Sequence, residues 1–496
     1  NSGSGFAPIG TAVSNFTGNF NGNNKTITGL YINRPAQDNI GLFAYANNAV
    51  VYDLGLVNVD ITGRQNTGAL AGDFRGASGS ITNCYSTGSV SSTDYYVGGL
   101  VGGLYEGTLS NSYSTAAVSG NMAGGLVGET NNSASISNSY ATGNVSGADY
   151  IGGFIGYNGG TITNSYAAGT VTGTTNAGGF AGENAGTISR SYSTGNVTGA
   201  ADTGGFAGYA GSGSITDSYS LGNVSGTTDV GGFVGENRDH NITKSYSTGT
   251  VTGTTNAGGF IGNYLGTTGV FTNNFWDTQT SGKSAGVGTG VLSGITGKTT
   301  AEMKQQAVFT NWDFSTAIWG IVETKEYPFL DWRYNAISGT AYSDQGVTAL
   351  ANGKTISFAI NGVVDSAAAT TIDGAGFYYA LLDAIDISNS ARDVISDGDA
   401  VLIYLDNAAE DGNTVLLSNG NTASGINIYG GVGEQPYAPS APTLEEDEAT
   451  KLAREMGVSK EELLKMQYGF GLTPYQKWQM QQAETGDIES RRRWDI

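Results

Sequence analysis

One line of this chain is written twice: GTVTGTTNAGGF stands at 169–180 and again, unchanged, at 249–260. The copies lie 80 residues apart, and three shorter units fill that interval. An anchor of the form Gly-Gly-apolar-apolar-Gly begins at Gly98, Gly124, Gly152, Gly178, Gly204, Gly231 and Gly258, with spacings of 26, 28, 26, 26, 27 and 27. Weaker copies begin at Gly68 and Ile40. A second anchor runs in phase: Tyr85, Tyr113, Tyr140, Tyr166, Tyr192, Tyr219 and Tyr246, with an aliphatic residue four positions before each and Val five positions after. A period in this range marks a solenoid, in which each unit buries its apolar face only against its neighbours.

The units exclude helices. They are built from Gly, Thr, Ser and Val, with no run of good helix formers long enough for stable turns. They read as three short strands per repeat, separated by Gly, Asn and Ser turns. Stacking such coils gives an all-β, parallel β-helix of about nine coils, each pairing with the next at roughly 4.8 Å. Equivalent side chains then form columns. Leu70, Leu100, Leu126, Phe154, Phe180, Phe206, Phe233 and Phe260 make one, expected inside because stacked rings exclude water. The flanking glycines are expected to hold turn conformations closed to other residues.

The column Tyr140, Tyr166, Tyr192, Tyr219 and Tyr246 leaves two readings open. Strict alternation puts Ile136, Asn138 and Tyr140 on one face, yet the position of Asn138 is elsewhere Arg190, Asp217 and Lys244, which should meet water. Either a bend separates Ile from Tyr, or Tyr faces out and Ser faces in. The residue after each anchor gives a further column, Glu129, Tyr157, Glu183, Tyr209, Glu236 and Asn263. Glu never follows Glu, so carboxylates about 5 Å apart are avoided. This column is a solvated stripe or a groove for a cation or a sugar.

Composition narrows the function. The formal net charge is −21, which argues against nucleic acid or an anionic membrane as partner, since phosphate binding needs clustered Lys and Arg. Cys84 is the only cysteine, so no disulfide forms within the chain and no thiolate metal site exists. His240 is the only histidine, which removes His triads and multi-His metal centres. It lies in NRDHNIT and is expected to be exposed on a turn. No apolar run approaches the ~18 residues of a membrane span. The chain opens at Asn1 without Met, and the expectation is a trimmed piece of a larger precursor.

GGLVG at 98–102 and 124–128 resembles the GLUG motif, and coils with GGFIG or GGFVG are similar to it in size and polarity. FTGNFNGNNKTITGLYINRP, NNFWDTQTSG and YPFLDW resemble the segments that open and close such arrays. The resemblance covers roughly 5–335. It implies a secreted bacterial surface protein, akin to filamentous-haemagglutinin-like adhesins exported by two-partner secretion and to some IgA-protease-like surface proteins. It carries over no catalytic residue and no cofactor. An outer-membrane secretion partner is an implication of the same kind.

The solenoid is expected over 1–298. Thr299 and Glu302 have capping-box spacing, opening a short helix through Ala307 within a cap at 299–335, where Trp312, Phe314, Trp319, Phe329 and Trp332 cover the last coil. At 336–432, AISGTAYS, KTISFAING, GFYYALL and AVLIYLDN read as strands of a β-sandwich, similar to immunoglobulin-like or carboxypeptidase-regulatory-like modules. Asp383, Asp386, Asp397 and Asp399 are candidate calcium ligands without a recognised spacing; solvated loop acids are the plainer reading. PYAPSAP marks a linker at 433–442. The tail, 443–496, reads as helical, with Leu452, Met456, Leu463, Leu464 and Met466 as an apolar docking surface.

The expectation for function is a non-enzymatic extracellular adhesin shaft, secreted or at the bacterial cell surface, touching host or neighbour-cell glycans. The alternatives are a self-assembling filament subunit, joined through coil ends or the tail, and a β-helix enzyme acting on polysaccharide.

Overall fold

Every coil from Asn19–Thr28 onward lays its strands parallel to those of the coil before. The computed structural model describes residues 3–290, 292–316, 318–344, 346–360, 363–383, 397–406, 412–419 and 423–430. The chain divides into two units, Asn1–Trp312 and Asp313–Ile496. The expected linker and helical tail, with Leu452, Met456, Leu463, Leu464 and Met466, lie outside the described residues. So do Asp386 and the side chains of Asp383 and Asp397.

The first unit is the parallel β-solenoid expected, and its register pairs like with like. Tyr140 faces Tyr166, Ile162 faces Ile188, Val171 faces Val197 and Gly178 faces Gly204. A partial further turn, Val287–Thr289, closes on Ile261–Tyr264. Each regular coil holds five short strands rather than three. One coil reads Ile155–Asn158, Thr161–Thr163, Tyr166–Ala167, Val171–Thr172 and Thr175–Gly178. The extra corners are made by residues in the left-handed region. One such column is Asn111, Asn138, Asn164, Arg190, Asp217 and Lys244, with φ between 47° and 50°. Asn is common there because its short amide tolerates that conformation, and Asn164 donates to the Asn138 amide oxygen at 3.2 Å.

The anchor glycines serve differently from expectation. None of those from Gly98 to Gly259 takes a positive φ. They are required by close approach: a Cβ at Gly179 would lie 2.1 Å from the Gly205 carbonyl oxygen of the next coil. Apolar columns fill the interior. Phe154, Phe180, Phe206, Phe233 and Phe260 are fully buried, with ring centroids 4.7–4.9 Å apart and planes within 11° of parallel. The Ile column, the Val column and the Val, Ile and Ala residues beside the anchors join the same core.

Both readings of the Tyr column contribute. The left-handed corner at Asn138 breaks the alternation between Ile136 and Tyr140. Beyond the corner, Ser139 and Ala141 are fully buried, so Tyr140, between them, points to the opposite side of the strand, where it is nonetheless only 4% exposed. The inward serines are held by the backbone: Ser139 Oγ donates to the Ser137 carbonyl at 2.7 Å and accepts the Ser112 amide at 3.2 Å. Cys84 occupies one of these serine positions, fully buried, and burial pushes its thiol up to about 12. The Tyr rings stack at 4.7–5.1 Å from Tyr85 to Tyr246.

At the C-terminal end of this unit, Thr299 and Glu302 do form a capping box: the Thr299 amide donates to Glu302 Oε2 at 2.8 Å and the Glu302 amide to Thr299 Oγ1 at 3.3 Å. The turn it opens is 3-10 rather than α, at Glu302–Lys304 and Gln306–Val308. Phe309 and Trp312 close over Phe275 at 5.0 and 5.9 Å, and the Trp312 indole donates to the Asn273 carbonyl.

The segment expected as one cap therefore divides at Trp312. Trp319 and Phe329 belong to the second unit, where Trp319–Gly320 pairs antiparallel with Phe329–Leu330. That unit carries a seven-stranded sheet. Its strands include the four expected, Tyr334–Tyr342, Thr355–Ile360, Phe377–Asp383 and Asp397–Asp406, and three not foreseen, Val363–Thr371, Gly412–Asn419 and Ile428–Gly430. Ile337, Phe358, Tyr378 and Ile403 form its core.

Candidate functional site

Two columns meet along one face of the solenoid. The first is the one read from the sequence. In register from coil to coil it runs Asp73, Gly103, Glu129, Tyr157, Glu183, Tyr209, Glu236, Asn263. The second lies two residues before each anchor and was not foreseen: Tyr96, Met122, Tyr150, Asn176, Asp202, Asp229 and Asn256, all left-handed with φ between 43° and 63°. Its Asn and Asp residues fit a conformation that few side chains accept, and that was the only signal available. Tyr and Met at three of the positions hid it.

The columns face each other. A Cβ at Gly235 would lie 2.4 Å from the Asp202 carbonyl carbon, so Glu236 stands beside Asp202 of the preceding coil. The Glu and Tyr side chains are half-buried rather than solvated, and Glu236 is only 7% exposed. Burial raises the pKa of Glu129 and Glu183 above the ordinary carboxylate range. It raises the phenols of Tyr96, Tyr150, Tyr157 and Tyr209 as well. Tyr105 lies over the space that Gly103 leaves and donates to Glu129 Oε2 at 3.2 Å.

Two arginines close the ends of the stripe. Arg75 grips both oxygens of buried Asp73 at 2.7 Å and lies 4.7 Å over the Tyr105 ring. Arg238 bonds Glu236 Oε1 at 2.8 Å and lies 5.7 Å from the centre of the Tyr209 ring. Between them the face offers ring planes and carboxylate acceptors in alternation. Ring faces and carboxylate oxygens are thus the groups this face offers to a ligand.

The alternation fails at one place. Asp202, Asp229 and Glu236 bring carboxylate oxygens within 4.8 Å of one another. Burial, then the charges of Glu236 and Asp229, push Asp202 up to about 7.

His240 is not exposed. It is fully buried, because Ala210 leaves a gap in the inner column Asn158, Asn184, Ala210, Asn237 and the imidazole fills it. Its Nε2 meets Asn184 Nδ2 at 3.0 Å, and burial pushes its pKa down to about 4.

Comparison with known proteins agrees with the repeat. The model of the GLUG motif matches 93–119, 119–146, 147–172 and 226–252. Halomucin of Haloquadratum walsbyi (strain DSM 16790 / HBSQ001) is 34% identical over 154 residues, which is 29% of this chain and 2% of that protein's length. A crystal structure of a putative immunoglobulin A1 protease from Bacteroides ovatus aligns at 20% identity over 63% of this chain and 77% of that one, with a TM-score of 0.28. At that score the likeness supports no conclusion about fold or activity.

Proposed function

We propose that this chain, a β-solenoid carrying GLUG-motif repeats, serves outside the cell as the shaft of a surface protein, and that the face around Tyr157, Glu183 and Tyr209 contacts carbohydrate on a host or neighbouring cell. The GLUG matches and the similarity to halomucin support the extracellular setting. The observation that carries the contact reading is the alternation of half-buried rings and carboxylates at one coil spacing, a periodic surface suited to a periodic ligand. The test is a glycan array probed with the full chain and with Tyr157→Ala/Tyr209→Ala. Binding weakened about tenfold or more in the variant supports the reading. A blank array for the parent chain at micromolar concentration ends it.

An enzymatic role would centre on Asp202 beside Asp229. Release of reducing ends from acidic polysaccharide, lost in Asp202→Asn, would replace the shaft reading with a hydrolytic one.

A further inference from the structure

We propose that Asp202, Asp229, Glu236 and the amide oxygen of Asn263 form a binding site for Ca²⁺ on the solenoid face.

The three carboxylates belong to successive corners of the same two columns. Asp202 and Asp229 occupy equivalent left-handed positions on adjacent coils, and Glu236 leans on Asp202 from the column opposite. All three approach within 4.8 Å, although Asp229 and Glu236 are buried. Elsewhere on this column the sequence separates Glu from Glu with Tyr; here like charges are gathered. Arg238 offsets one unit of that charge, bonding Glu236 Oε1 at 2.8 Å. Three negative charges less one leave two, the charge of one divalent cation.

Asn263 supplies the independent observation. It is one register step beyond Glu236 and 7% exposed, and its Oδ1 has no hydrogen-bond partner among the described residues. The repeat that sets Glu236 against Asp202 sets Asn263 against Asp229: a Cβ at Gly262 would lie 2.4 Å from the Asp229 carbonyl carbon, as one at Gly235 does from that of Asp202. A buried amide oxygen left unmatched costs about 1–3 kcal/mol, and a cation at this place would use it. Asn256 steadies the far side, its amide donating to Asp229 Oδ1 at 2.6 Å.

The donor set selects the ion. Four oxygens and no nitrogen or sulfur suit a hard cation. Mg²⁺ demands a near-ideal octahedron and sheds its waters reluctantly, whereas Ca²⁺ accepts an irregular set of oxygens, such as three carboxylates within 4.8 Å of one another. Asp202, half-exposed at the rim, gives the ion its way in.

The experiment is isothermal titration of the full chain with CaCl₂ and, separately, MgCl₂. The expected result is Ca²⁺ binding with a dissociation constant on the order of 10⁻⁴–10⁻³ M, the range of extracellular calcium modules, and weaker Mg²⁺ binding. Asp229→Asn/Glu236→Gln should lose at least tenfold in Ca²⁺ affinity. Should that variant fail to fold, Arg238→Ala, which removes an exposed cation, is expected to tighten Ca²⁺ binding severalfold. No binding to the parent chain at 10 mM CaCl₂ (about ten times the weakest expected constant), undiminished affinity in a folded double variant, Mg²⁺ bound as tightly as Ca²⁺, or no gain in Arg238→Ala would each overturn the assignment.

Discussion

The inner Phe column and the outer acid–Tyr column rise through the same coils at the same spacing, yet they obey opposite rules. Inside, Phe follows Phe from Phe154 to Phe260, because apolar rings gain by touching their own kind and five of them are fully buried. Outside, Glu183 is separated from Glu129 by Tyr157 and from Glu236 by Tyr209, because carboxylates one coil apart repel. A stacked fold thus multiplies every side chain by its neighbours. Repetition stabilises what attracts itself and must be interrupted for what does not.

The sharpest way to break this contrast is to cut one ring from each column. Phe206→Ala is expected to cost about 3–5 kcal/mol, read from the midpoint of chemical denaturation, while Tyr209→Ala, on the half-exposed side, costs well under half of that. Equal losses would remove the distinction between the two columns.

The interior also admits polar groups, provided they stay neutral, and His240 tests that proviso. Its pKa falls from the ordinary value near 6.5 to about 4 in the fold. Between those pH values only the unfolded chain takes up the proton. The contribution of His240 is therefore complete above about pH 6.5 and disappears as the pH falls toward 4, by about 3 kcal/mol in all. The measurement is the pH dependence of stability for the parent chain minus that for His240→Gln, which removes the trends of the carboxylates from the comparison. A difference flat between pH 7 and 4 would contradict the buried, neutral imidazole.

On the outer column, Tyr157→Glu places three Glu in succession. The expected loss is about 1 kcal/mol at low salt, shrinking in 1 M NaCl, where screening acts over about 3 Å. A loss that salt leaves untouched would mean that the ring, not the charge spacing, mattered. The smallest effect belongs to the corner that separates the two environments. Lys244 holds a φ of 50°, a conformation that costs most side chains about 1–2 kcal/mol and Asn less. Lys244→Asn should stabilise by about 0.5–1 kcal/mol, seen as a raised denaturation midpoint.

Much of this was legible because repetition turns a single sequence into several aligned copies. Nine anchors in phase gave the coil, the Phe column and the first of the two facing columns. What stayed hidden were features that do not repeat, or that repeat in conformation but not in residue type. Asn138, Arg190, Asp217 and Lys244 share one backbone corner while differing in every chemical respect. The fate of His240 depended on Ala210, one coil and 30 residues away, where one missing amide opens room for an imidazole. The column that carries Asp202 and Asp229 was obscured by Met122 and Tyr150 at equivalent positions. In the second unit, antiparallel pairings such as Thr355–Ile360 with Asp397–Asp406 have no copies to align, and three of its strands went unread.

Because the backbone of each winding pairs only with the one before and the one after, with the His240–Asn184 side-chain bond reaching one winding further, tension applied along the chain is resisted mainly by contacts between neighbours. It would strip windings singly from an exposed end. Each released winding of some 27 residues would lengthen the tether by roughly 90 Å, so a shaft of this construction would yield under load by paying out line rather than by snapping.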